Sequence, residues 1–223
     1  MKPYERLAEA AAPDGTVLTL YRHDGAFLLR IDGIELMSTR RSQSEVQLAA
    51  LACRGLADRR DVRVLVGGLG FGFTMRAALE RLGADAKVVV AEIVPEVIAW
   101  NRNPEFALAG AAMNDPRVDI RLGDVLPLLR EHVGAFDAIM LDVDNGAESL
   151  TTKGNAKLYA DAGIQAAIAA LRPGGRVIYW SADADPAFAK ALRRNGLTVT
   201  TEKSRAHGKK GAEHELIVGE KRP

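Results

Sequence analysis

Cysteine is nearly absent from this chain. Cys53 stands alone, so no disulfide forms within the chain and no thiol cluster is available to hold a metal. It falls on the apolar side of a predicted helix, where a free cysteine behaves as a core residue rather than a nucleophile. The four histidines, His23, His132, His207 and His214, are too scattered for a metal site. Neither sign of charge is in excess: 30 basic and 29 acidic residues leave +1, which excludes an extended nucleic-acid surface and favours a small-molecule substrate. No apolar run is long enough to span a bilayer. The opening Met1-Lys2-Pro3-Tyr4-Glu5-Arg6 lacks the apolar centre of a signal peptide, so the expected location is cytoplasmic. Internal repeats and low-complexity segments are missing too.

What is present is an ordinary globular composition, 48% hydrophobic and 26% charged over 223 residues, enough for one α/β domain with a small appendage. The chain is organised around residues 62–92. Val62-Arg63-Val64-Leu65-Val66 leads into Gly67-Gly68-Leu69-Gly70-Phe71-Gly72, then an amphipathic run from Phe73, then Lys87-Val88-Val89-Val90-Ala91-Glu92. Strand, glycine turn, helix and a second strand ending in an acid make a βαβ unit. Glu92, at the tip of that strand, is placed to accept hydrogen bonds from ribose hydroxyls. A dinucleotide loop calls for G-x-G-x-x-G. Here Gly68, Gly70 and Gly72 alternate and Phe73 occupies the third dinucleotide position, so the spacing points to a nucleoside thioether cofactor of the S-adenosylmethionine kind.

Before this unit, residues 1–41 read as a small antiparallel β appendage. Its strand-like runs at 16–21, 26–31 and 34–37 are separated by Asp24-Gly25 and Asp32-Gly33 turns. Ser42-Gln43-Ser44-Glu45 has the form of a capping box, which gives Glu45 two readings: helix cap, or carboxylate facing the site. The remaining 42–223 reads as the cofactor-binding domain. Val118–Leu122 is followed by Gly123-Asp124, where Asp124 can cap the next helix, meet an adenine amino group, or do both. Phe136–Leu141 runs into Asp142-Val143-Asp144-Asn145-Gly146-Ala147-Glu148, a polar cluster at a strand's carboxyl end, readable as chemistry or as an Asp/Asn turn. A helix from Tyr159 to Leu171 and strands at 176–180, 197–201 and 215–219 complete an α/β, Rossmann-like plan: a seven-stranded, mostly parallel sheet with an antiparallel last strand. The basic stretch from Lys203 to Lys210 reads as a solvated hairpin. Tyr159 and Trp180 are candidate walls for a substrate cation, or plain core.

That plan is the one of class I S-adenosylmethionine-dependent methyltransferases. The glycine loop, Ala91-Glu92-Ile93-Val94-Pro95, Asp115-Pro116-Arg117-Val118, Gly123-Asp124, Phe136-Asp137-Ala138-Ile139, Leu158-Tyr159 and Leu171-Arg172-Pro173-Gly174-Gly175 resemble those of spermidine synthases, the polyamine aminopropyltransferases. The resemblance implies that Glu92 with Ile93 holds ribose, that Asp124 with Val125 holds adenine, and that Gly68, Gly70, Gly72 and Asp142 lie along the thioether tail. It also implies a homodimer through the N-terminal strands. The pattern departs at three places. Phe71 replaces a loop aspartate that in the family pairs with the amine of decarboxylated S-adenosylmethionine. Asn145 replaces the aspartate that deprotonates the attacking amine, and Gln43-Ser44-Glu45 replaces Tyr-His-Glu.

A missing loop acid removes a charge-assisted hydrogen bond of about 1.5–3 kcal/mol and also the repulsion that would exclude a carboxylate. The sequence therefore leads to an expectation of methyl transfer from S-adenosylmethionine to a small amine or similar nucleophile. Asp142, Asp144 and Asn145 would orient that acceptor, and Glu45, Glu148, Tyr159 and Trp180 would line its site. Aminopropyl transfer from decarboxylated S-adenosylmethionine, with Asp144 or Glu148 as base, is the first alternative. A catalytically inactive cofactor-binding subunit is the second.

Overall fold

The computed structural model describes residues 3–142, 156–207 and 210–223, with backbone alone at 206, 207 and 210–213. Four antiparallel strands come first: β1 (Glu5–Ala11), β2 (Val17–His23), β3 (Ala26–Ile31) and β4 (Ile34–Ser38), adjacent in that order. Asp24-Gly25 and Asp32-Gly33 make the two tight hairpins, with φ of 49°, 76°, 47° and 83°, as a primed turn requires. The sequence runs predict three strands, and β1 is the fourth. Glu5–Ala11 is poor in β-branched residues and becomes a strand through its pairing, Ala10 opposite Leu18 and Arg6 opposite Tyr21. Ala10, Leu18, Leu20, Leu29 and Ile31 join the same apolar core as the helices that follow, so the small sheet packs on the main body.

The second sheet is built from β5 (Arg63–Gly67), β6 (Lys87–Glu92), β7 (Val118–Leu122), β8 (Phe136–Leu141), β9 (Leu171–Ser181), β10 (Thr198–His207) and β11 (Lys210–Glu220). Their spatial order is β10-β11-β9-β8-β5-β6-β7, with β11 antiparallel to both neighbours and the pairs from β9 to β7 parallel. This matches the plan expected from the sequence. The helices are α1 (Gln43–Ala52), α2 (Phe73–Leu79), α3 (Pro95–Arg102), α4 (Val125–Glu131), α5 (Ala156–Tyr159), α6 (Asp161–Ala170) and α7 (Pro186–Arg194). Where one helix is predicted over 159–171, there are two, and Leu171 already belongs to β9.

Central strands are buried on both sides, as parallel strands under two helical layers must be. Alternation divides them between two cores. Val64, Val66, Met140, Ile178, Leu216 and Val218 face the layer containing α1 and α2. Leu65, Ile139, Leu141, Val177, Tyr179 and Ile217 face α4, α6 and α7. The strand order reverses between β5 and β8, so ligands are expected outside their carboxyl ends. The opposite end is locked by Asp137, whose side chain is 1% exposed. It pairs with Arg59 at 2.9 Å and Arg172 at 2.7 Å and accepts the Arg63 N–H.

Two local details refine the sequence reading. Ser42 precedes α1 but makes no side-chain cap bond, and Glu45 accepts the Ser44 hydroxyl at 2.5 Å instead of reaching back to Ser42. The capping box is not formed, because Glu45 is turned into the protein and buried. Arg117 has a role its loop position does not announce. Its Nη1 donates to the carbonyls of Leu79, Leu82 and Gly83 at 3.0, 3.0 and 3.3 Å, satisfying the open end of α2. Asp115 grips the other side of the guanidinium.

The hydrogen bonds from Arg117 hold the Asp115 carboxyl down at about 2 against an ordinary 3.8. A depressed carboxyl stabilises the fold fully above its unfolded value and loses that contribution as pH falls through the folded one. Urea unfolding should therefore separate wild type from Asp115→Asn at pH 5, with the gap narrowing as pH falls from 3.8 toward and through about 2.

Candidate active site

The chain leaves β5 at Gly67 and turns through residues 68–72 into α2. Gly70 and Gly72 hold φ of 49° and 74°. They are also crowded: a Cβ at Gly70 would lie 2.6 Å from Met37 Cε, and one at Gly72 would lie 2.5 Å from Ala109 Cβ. Only glycine gives both the conformation and the close approach. Met37 belongs to β4, so the N-terminal sheet touches the loop directly. The Phe71 side chain, 2% exposed, is packed in the core with its ring 6.1 Å from that of Phe73.

Glu92 ends β6 and folds back on this loop. Its Oε2 accepts the Leu69 N–H at 3.0 Å and its Oε1 the Val94 N–H at 2.9 Å. The side chain is buried, which pushes the carboxyl above its ordinary range. Hydrogen bonds from Val94, Leu69, Gly70 and Ile93 oppose the shift without cancelling it. Two of these bonds, one to each oxygen, fix the carboxylate between the glycine loop and the turn that leads into α3. Asn101, 3% exposed, donates to the Gly70 carbonyl at 2.7 Å and to Val97. It pins the loop from α3, and the sequence reading misses it. Its signal is an amide on the face of α3 that also carries Val97 and Ile98.

Asp124 caps α4, accepting the Leu126 N–H at 2.9 Å. The Gly123 N–H donates to the Glu92 carbonyl, so Asp124 stands beside the end of β6. Val125 is buried and Ile93 half-buried at the same strand ends. Asp142 follows β8, accepts the Thr74 hydroxyl at 3.1 Å and donates its N–H to Gly67. The glycine loop, Glu92, Asp124 and Asp142 are thus gathered at one end of the sheet. Asp144, Asn145 and Glu148 lie outside the described residues.

Trp180 packs on the α1 side of the sheet, and Glu45 is buried in the first turn of α1. Burial pushes the Glu45 carboxyl up, while Ser44, its own backbone N–H and the charge of His214 draw it down. Tyr159 is elsewhere. Its ring packs with Tyr179 at 5.7 Å and Phe188 at 5.0 Å on the opposite face, the core position foreseen as its alternative. A cleft of about 630 Å³ lies between α3 and β7, lined by Ile98, Arg102, Ile120 and Leu122 among others. It contains neither the glycine loop nor Glu92, so it is not the candidate site.

No family model matches the chain. It is 27% identical over 142 residues to the polyamine aminopropyltransferase of Thermoanaerobacter pseudethanolicus, covering 64% of this chain and 50% of that one. To the polyamine aminopropyltransferase of Corynebacterium efficiens it is 30% identical over 138 residues, covering 60% and 25%. The chain thus spans about half the length, or less, of these curated relatives. Among solved structures it superposes on spermidine synthase from Thermotoga maritima with TM-score 0.75 at 18% identity, covering 97% of this chain and 73% of that one. A spermidine synthase in complex with the transition state analogue AdoDATO gives the same TM-score at 72% coverage of that chain. In fold the chain resembles these spermidine synthases.

If Glu92 is the sugar-binding acid, Glu92→Ala should weaken binding of 5′-methylthioadenosine on the order of 10-fold or more, the loss of at least one charge-assisted hydrogen bond. Calorimetry measures it. A carboxyl raised by burial adds most to stability below its unfolded value of 4.5, and that contribution falls as pH rises through the folded value. The Glu92→Ala stability deficit should accordingly shrink between acid and neutral pH.

Proposed function

We propose that the chain is a transferase that binds an adenosyl sulfonium of the S-adenosylmethionine class and passes a group from it to a small amine. The observation that carries this reading is Glu92, a carboxylate fixed between the glycine loop and the start of α3, at the strand end where the family pattern has its ribose-binding acid. The cofactor supplies an activated carbon on a sulfonium, so proximity and alignment are the protein's main contribution. Gly68, Gly70 and Gly72 would admit the tail. Asp124, as cap of α4, would meet the adenine edge, with Ile93 and Val125 beside it. Asp142, anchored by Thr74, would lie at the reacting end.

The relatives named polyamine aminopropyltransferase favour aminopropyl transfer to a polyamine over the methyl transfer expected from the sequence. Decarboxylated S-adenosylmethionine is then the cofactor. Methyl transfer stays as the second reading because of one feature: Phe71 stands in the core where the resemblance calls for an acid that excludes the ordinary cofactor's carboxylate.

Turnover of the two cofactors with putrescine and a panel of amines decides between them. The aminopropyl reading predicts product from decarboxylated S-adenosylmethionine and putrescine, with the ordinary cofactor inert. Methylated amines from the ordinary cofactor would replace it with the second reading. Binding of neither adenosyl compound would remove both.

A further inference from the structure

At the carboxyl end of β9, Trp180, His214 and Ser204 stand on three adjacent strands, on the face covered by α1. Ser204 and His214 are register partners, and the Trp180 and imidazole centroids are 4.6 Å apart. Glu45 closes the group from the first turn of α1, with the charge of His214 acting on it. Trp180 Nε1 and the Ser204 hydroxyl, on a residue 1% exposed, are buried without a hydrogen-bond partner among the described residues. His214 and Trp180 are half-buried and so reachable from outside. Trp180 lies one residue beyond Tyr179, the partner of Leu141, which immediately precedes Asp142. The group therefore adjoins the candidate site.

The imidazole has a defined orientation. Its Nδ1 lies 3.4 Å from the Ala182 carbonyl. A carbonyl only accepts, so Nδ1 carries the hydrogen and the Nε2 lone pair is left to take another. Resting on the transferase reading above, an amine acceptor arrives as an ammonium and has no lone pair until it loses a proton. Asn145, at the position where the family pattern has an acid, does not titrate.

We propose that His214 Nε2 takes this proton and that Glu45 is the positioning residue beside it. The ammonium N–H bond breaks, its electron pair stays on the amine nitrogen, and an Nε2–H bond forms. Net charge is conserved, and the positive charge moves from the acceptor to the ring, toward the Glu45 carboxylate. The Trp180 ring and the Ser204 hydroxyl supply a π-face and a neutral acceptor for the incoming ammonium. Glu45 on α1 is the acid on this face that the charge of His214 acts on; Glu202, two residues from Ser204, is paired with Arg54, and Arg176 on β9 is bonded to the Leu51 carbonyl. Trp180, Ala182 and Ser204 are neutral, while Glu215, next on β11, points to the other face and accepts the Asp185 N–H. Of the acids after Ala182, Asp185 caps α7 and Asp183 is the next along the chain.

The test is imidazole NMR of the full chain titrated with 1,4-diaminobutane, beside rate–pH profiles of wild type, His214→Gln and Glu45→Gln. The diamine should shift the His214 resonances and 1-butanol should not. His214→Gln should lower kcat by about 10²–10⁴-fold, leave the cofactor KM unchanged and abolish the acid limb of the profile. Glu45→Gln should give a smaller loss with the limb retained. His214 resonances indifferent to the diamine, or a His214→Gln enzyme with the wild-type rate and profile, would overturn the assignment. Failure to bind 5′-methylthioadenosine would count against the transferase reading instead, and the NMR titration would still decide the role of His214.

Discussion

The Glu92 carboxylate, bonded at one oxygen to Leu69 and at the other to Val94, is the constraint on which the site depends. Those two bonds tie the glycine turn after β5 to the turn after β6, adjacent parallel strands in register from Arg63 and Lys87 onward. The turn cannot open without leaving a buried carboxylate short of donors, which costs more than the bonds themselves contribute. Asn101 repeats the device from α3 by holding the Gly70 carbonyl. The loop is thus preorganised, and its conformation does not have to be ordered when a ligand arrives.

The N-terminal sheet takes part in this arrangement. Met37 of β4 lies against Gly70, and residues of β1, β2 and β3 share a core with α1 and α2. An apolar face of four strands gains stability only by packing on something larger, and here the packing brings a flexible thioether side chain over the glycine turn. Methionine adapts its shape at low cost, so a variable contact is set over a rigid floor. The other wall, from Glu45 through Trp180 to His214, comes from α1 and the end of the main sheet. The two walls differ in kind, one apolar and one polar.

Much of this was legible because it follows from periodicity and turn chemistry. The β-branched runs at Val64–Val66 and Val88–Val90, the alternating glycines and Glu92 define the βαβ unit by themselves. Asp24-Gly25 and Asp32-Gly33 define the hairpins. Strand β1 was not legible, since Glu5–Ala11 has weak intrinsic preference and is a strand through pairing. Four Ser42–Glu45 residues have the form of a capping box, but burial won over capping: Glu45 lies against the sheet and bonds Ser44. Asn101, Arg117 and His214 bond tertiary neighbours far along the chain, and the local pattern around each does not reveal those partners. Tyr159 and Trp180 look equivalent in sequence, yet they fall on opposite faces of the sheet.

The central claim is that Glu92 and the glycine turn form a nucleoside site. A crystal structure with 5′-methylthioadenosine tests it most directly. The account predicts both ribose hydroxyls within hydrogen-bond distance of the Glu92 carboxylate and the sulfur over Gly70. A nucleoside seated in the cleft between α3 and β7, with Glu92 untouched, would contradict it.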